Sequence, residues 1–185
     1  GYTQKYLKNY NPAKKAFLSC ISVCQNSHDE LEAAAYYNLG LIYHNDRNID
    51  SALFCFDQAQ GLYTVANKME EVANSLNMQA ISYHHINDQF NGQKKLNEAF
   101  AIEKEHQLLK QESRSHEIQS YIHADLFEFE LALASFKRHL SIESDLNSTQ
   151  NSEEERLKFV NYQADQLERG LRLIWSNREK DIINQ

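Results

Sequence analysis

Three positions spaced 40 residues apart, Gly40, Ala80 and Ser120, each hold a small residue, and four other positions repeat in step with them. The same shift carries Tyr43 to Tyr83 and His123, Ala52 to Gly92 and Ala132, Phe56 to Leu96 and Phe136, and Ala59 to Ala99 and His139. Two helices packed at ~8–10 Å need small residues where their backbones approach and large ones in the spaces between. A slot that stays small in every copy therefore marks a helix–helix contact, and the large residues three and four positions away fill its flanks. One such unit cannot bury both of its faces, so the pattern requires stacked copies. The third copy, with His123 and His139, is the most degenerate, as terminal repeats tend to be.

Within the first full copy the order is Tyr36, Leu39, Gly40 and Tyr43, a short polar loop, then Ala52, Phe56 and Ala59. This closely resembles the tetratricopeptide repeat, a helix–turn–helix unit written W-x2-L-G-x2-Y followed by A-x3-F, with Tyr in place of Trp. The resemblance implies an all-α, right-handed helical-hairpin solenoid. Its 40-residue period exceeds the family's usual ~34. The junctions around Asn67 and Gln111 contain neither Gly nor Pro, so the extra residues are read as longer helices joined by short turns. Extended repeats of this kind resemble those of bacterial signalling proteins and peptide-pheromone receptors. One Pro and five Gly in 185 residues agree with an almost wholly helical chain.

Taken in order, residues 1–28 read as a partial repeat, with a turn at Asn9 to Pro12 and a helix to about Gln25 on which Ala13, Phe17 and Cys20 reproduce the second-helix pattern. Asp29 is expected to cap the next helix. Full repeats are predicted at about 30–67, 69–109 and 112–146, with internal turns at Asn45 to Asn48 and at Asn87 and Asp88, and with last-repeat helices over Ser113 to Asp125 and Phe127 to Leu146. The polar run from Asp145 to Ser152 breaks the periodicity. Ser152 with Glu153, Glu154 and Glu155 then forms a capping box, opening a long helix over 152–184. Its stripe of Leu157, Val160, Ala164, Leu167, Leu171 and Ile174 has heptad-like spacing and is expected to cap the repeats or form a coiled coil. Phe159, Tyr162, Leu173 and Trp175 are left for a weaker second face, through which a homodimer could form.

Composition narrows the function. Net charge is −7 and Lys and Arg are not clustered, so nucleic acid is not an expected partner. No apolar run approaches the ~20 residues of a membrane span, and membrane insertion is not expected; the chain reads as cytoplasmic, and its start at Gly1 suggests a piece of a longer protein. No phosphate loop, zinc-protease motif, paired CxxC or nucleophile elbow occurs, so no enzyme activity, catalytic residue or cofactor is expected. Cys20 and Cys24 share one helix face at a spacing that could hold a metal but lack neighbouring ligands in sequence. With Cys55 they are read as reduced thiols acting as small apolar residues. Repeat-equivalent His44 and His84 suit the last turn of a helix, where the dipole favours a cation, and no metal is expected there.

The resemblance also implies where a partner would bind. In tetratricopeptide arrays the first helices line a concave face, and alignment places there Tyr37, Asn38, Leu41 and Asn45, then Asn74, Asn77, Met78, Ile81 and His85, then Arg114, Glu117, Ile118 and Tyr121. Asn amides can bond an extended backbone as donor and acceptor, while Tyr37, Met78 and Ile118 offer apolar contact. A carboxylate clamp of the co-chaperone kind is not expected, because Asn74 and Met78 stand where Lys and Arg are required. The expected function is a non-catalytic module that binds a protein or peptide segment, the regulatory or scaffolding part of a larger protein. The alternative is the sensory domain of a bacterial signalling enzyme, a diguanylate cyclase or histidine kinase.

Overall fold

The computed structural model describes residues 2–24, 30–146, 153–154, 157–165 and 167–169, with side chains from residue 12 onward. Its helices are α1 (Tyr2–Cys24), α2 (Glu30–Asn45), α3 (Ile49–Val65), α4 (Met69–His85), α5 (Gln89–His106), α6 (Leu109–Asp125) and α7 (Phe129–Leu146). Residues 153–154, 157–165 and 167–169 are helical as well, and no strand occurs among the described residues. The architecture is all-α, built of helical hairpins.

The turns explain the regularity. Arg47, Asn67, Asn87, Gln107 and Phe127, spaced every 20 residues, all adopt positive φ between 55° and 63°. Each sits one or two residues beyond a helix end, where a left-handed residue reverses the chain. The amides of Asn48, Lys68, Asp88 and Glu128 reach back to the carbonyls of Tyr43, Tyr63, Tyr83 and His123 at 2.8–3.0 Å, the long bond that closes this type of cap. Those same four residues, with Leu108, then accept the first bond of the next helix. One short turn thus serves every junction from α2 to α7, and α3, α5 and α7 start 40 residues apart at Ile49, Gln89 and Phe129. Helices of 16 to 18 residues account for the long period.

Four boundaries differ from expectation. Pro12 lies inside α1 and no turn forms at Asn9; a proline loses its bond to the carbonyl four residues earlier and its ring crowds that carbonyl, yet a helix can continue through it at a cost of ~3 kcal/mol. The junction placed near Gln111 falls at Gln107, so α5 stops at His106 and α6 begins at Leu109, ahead of Ser113. Asn45 ends α2 and is not part of the turn, and Phe127 is the left-handed turn residue and not the start of α7. The expected caps at Asp29 and Ser152, and the assignments of Leu171, Leu173, Ile174 and Trp175, lie outside the described residues.

The helices fall into two compact units, Gly1–His106 and Gln107–Gln185, dividing the stretch 1–146 that the sequence suggests is one run of repeats. In the first, each helix from α1 to α5 packs on the next. Three buried clusters form its core: Ala33, Ala59, Tyr63, Val72, Leu76 and Ala99; Ile21, Ala35, Leu39 and Cys55; and Ala52, Phe56 and Met78. The small-residue slot has a direct cause, since a Cβ on Gly40 would stand 2.6 Å from the ring of Phe56. Gly92 is tight too, with the Ala80 carbonyl 3.3 Å from such a Cβ.

In the second unit α6 packs on α7, burying Ser113, Ser115, Ile118 and Ser120 with Ala132, Ser135, Leu140 and Ile142. Of the C-terminal stripe, Val160 and Ala164 are buried, but Leu157 is 56% exposed. The covered face therefore starts at Val160, and Leu157 joins Phe159 and Tyr162 on the exposed side.

Candidate functional site

On α2, Tyr37 is half-buried with its ring tilted over Phe56, centroids 5.7 Å apart. Leu41 packs on the same Ala52–Phe56–Met78 cluster, as does Ile81 from α4. These three half-buried side chains form one apolar patch spanning α2 and α4. Polar residues border it in sequence: Asn38, half-buried, donates its amide to the Ala34 carbonyl at 2.8 Å, Asn45 is exposed, and Asn74 is half-buried.

Three of the expected binding residues do not reach a surface. Asn77 is fully buried and donates to Glu103 Oε1 of α5 at 3.4 Å, and Met78, 6% exposed, is core. α4 packs against both α3 and α5 and is bonded to α2 through Ser82 and His44, so a face aligned as solvent-facing is covered. On α6, Ile118 is likewise buried, whereas Arg114, Glu117 and Tyr121 are exposed. Those four residues belong to the second unit.

Polar ties accompany α4 on every side. Ser82 Oγ donates to the Met78 carbonyl at 2.7 Å and lies 2.9 Å from His44 Nδ1 of α2. Since the serine hydrogen is used, His44 Nδ1 is the donor, which fixes its tautomer. Gln79 Nε2 donates to Gln60 Oε1 of α3 at 2.9 Å, and Asn77 reaches α5. The ring of His85 lies against that of His44 with centroids 4.7 Å apart at 31°. Burial first, then His85 and Arg47, hold the His44 pKa below its ordinary value, so the neutral imidazole is favoured. Nothing in the sequence marked this layer, because Ser, Asn, Gln and His at these positions read equally well as a wet face.

Among the described residues no group of three or more His, Cys, Asp or Glu is placed to hold a metal ion. A serine, a histidine and a carboxylate do meet in the second unit: Ser113 Oγ lies 2.9 Å from His139 Nδ1 and 2.8 Å from Glu143 Oε1. Its hydroxyl is fully buried, and both partners address the same oxygen, so the carboxylate does not orient the imidazole as it does in a nucleophilic triad. The trio ties α7 to α6.

Hairpins repeating around small-residue contacts and one recurrent turn define a helical-repeat protein. Residues 33–64, spanning most of α2 and nearly all of α3, match the family model described as Tetratricopeptide repeat, so over that hairpin the chain is similar to that family. Repeats of this family generally mediate protein–protein interaction. No curated protein and no solved structure matches the chain. Among the described residues no helix is long and apolar enough to cross a membrane.

Proposed function

We propose that the first unit is a binding module for an extended protein or peptide segment, and that the chain serves as the regulatory or scaffolding part of a larger protein. The supporting observation is the patch of Tyr37, Leu41 and Ile81. It is half-exposed over the Ala52–Phe56–Met78 cluster, with Asn38 and Asn45 of α2 and Asn74 and His85 of α4 near it in sequence. Amides flanking an apolar strip can bond a peptide backbone while the strip takes alternate side chains. Met78 supports the patch from below and Asn77 is tied to α5, so neither contacts the partner.

Selection from a random peptide library, followed by titration of the selected peptides, tests this reading. Changing Asn38 and Asn74 together to Ala should weaken the selected peptides about tenfold, equivalent to ~1.4 kcal/mol, with an unchanged melting temperature. Failure to select any peptide, or peptides indifferent to the double substitution, would count against it. Self-association through the exposed Leu157, Phe159 and Tyr162 is part of the same proposal, and a strict monomer in sedimentation would remove it.

A further inference from the structure

The thiols of Cys20 and Cys24 lie 3.9 Å apart on the last turn of α1, both half-buried and reduced. We infer that they form an oxidisable dithiol, which a peroxide closes to a disulfide within the helix. Residues four apart on a helix have Cα atoms about 6 Å from each other, inside the ~4.4–6.8 Å window that a disulfide accepts. Their Cβ atoms, at ~5–6 Å, must draw in to ~3.5–4.5 Å. That movement strains one helical bond in particular, the one from the Cys24 amide to the Cys20 carbonyl.

The chemistry balances with the peroxide as the only oxidant. One thiolate attacks the O–O bond, taking one oxygen to become sulfenic acid and releasing the other as water once protonated. The second thiolate then attacks that sulfur, forming the S–S bond and expelling hydroxide, which leaves as a second water. Two thiols and one hydrogen peroxide thus give one disulfide and two waters.

The third cysteine behaves differently and serves as an internal control. Cys55 is 3% exposed among Ile21, Ala35 and Leu39, and burial pushes its thiol up to about 11, so it carries almost no thiolate at neutral pH. Cys20 packs against this same cluster, and its thiol donates to the Leu31 carbonyl of α2 at 4.0 Å, a link between α1 and α2 that closing the disulfide removes. Oxidation therefore loosens the docked end of α1.

Peptide mass mapping of the intact chain tests the inference. Tryptic cleavage after Lys15, Arg47 and Lys68 puts Cys20 and Cys24 together in peptide 16–47 and Cys55 in peptide 48–68. After hydrogen peroxide, unfolding and alkylation, peptide 16–47 should lack two hydrogens and carry no alkyl group, while Cys55 is fully alkylated; dithiothreitol should reverse the loss. In the oxidised chain the amides of Ile21 to Cys24 should exchange several-fold faster. In the Cys20→Ser variant, Cys24 should accumulate a sulfenic acid trappable by a dione nucleophile, which the parent chain does not. A doubly alkylated peptide 16–47, a sulfinic acid on either sulfur, or a bridge to Cys55 or to a second chain overturns the inference.

Discussion

Single residues carry unequal weight in this fold, and their surroundings say why. Gly40 is fixed by the ring of Phe56, so Gly40→Ala should cost ~1–3 kcal/mol through overpacking, and a smaller partner in Gly40→Ala/Phe56→Leu should restore part of it. Equal loss in the single and double variants, read from urea titrations, would show that the contact is not the cause. Arg47 is the opposite case. It holds a left-handed φ of 62° with a side chain that this conformation disfavours, so Arg47→Gly should gain about 0.5–1 kcal/mol, and Asn87→Gly less, since Asn tolerates the region. Asn77→Ala removes a donor from a fully buried carboxylate and should cost ~1–3 kcal/mol; a neutral result would mean that Glu103 is satisfied by its other neighbours. Gly40 is legible in the sequence because smallness at a repeated slot is a compositional signal, and the turns holding Arg47 and Asn87 are placed by the sequence too, but not their left-handed geometry. Arg, Gln and Phe occupy the left-handed position in three of its five copies, where glycine would have announced it.

Among the elements, α4 shows both the reach and the limit of pattern reading. Its bounds follow from periodicity and its Ala80 slot from the repeat, yet Asn77, expected on the partner-binding face, links it to α5, and Ser82 and Gln79, to which the pattern gives no role, link it to α2 and α3. Periodicity reports which side of a helix is apolar. A helix covered on several sides needs polar side chains that satisfy one another, and no single-sequence pattern separates these from solvated ones. Pro12 misled for a related reason: proline is a frequent breaker, but α1 continues through it. The His44 link has a pH consequence. Burial, then His85 and Arg47, lower the His44 pKa in the folded chain, so the unfolded chain binds more protons below its ordinary value of ~6.5. Stability is therefore complete above that pH and falls as pH drops from there towards the folded value. His116, whose burial acts in the same direction, adds to the slope. Melting temperatures between pH 7.5 and 5.5 should thus fall less in His44→Gln than in the parent, the difference isolating His44; identical slopes would assign the effect elsewhere.

At the scale of the whole molecule, the two compact units are built from different materials. The first buries Leu39, Phe56, Tyr63, Val72, Leu76 and Leu96 within α2 to α5, whereas α6 and α7 bury Ile118, Ala132, Leu140 and Ile142 beside Gln111, Ser113, Ser115, Ser120 and Ser135. A fully buried Leu or Phe contributes ~1.5–3 kcal/mol from removal of its surface from water. A buried serine contributes little beyond the net ~1 kcal/mol of its hydrogen bond. The bonds of Ser113 to Glu143 and of Ser135 to Gln119 offset the burial of those hydroxyls without replacing the missing apolar area. In a repeat architecture stability is close to a sum over repeats and their immediate neighbours, so a weak core in one unit is not averaged away by a strong one elsewhere. The amides of α6 and α7 should accordingly exchange with solvent through lower-energy openings than those of α3 and α4, and as urea is raised they should lose protection first. Replacing Ser120 by Ala, the residue that fills the same slot as Ala80, should narrow the gap by trading a hydroxyl for an apolar methyl. Native-state hydrogen exchange across a urea series decides the matter: coincident protection of α4 and α6 at every concentration would mean that core composition does not set the order of unfolding in this chain.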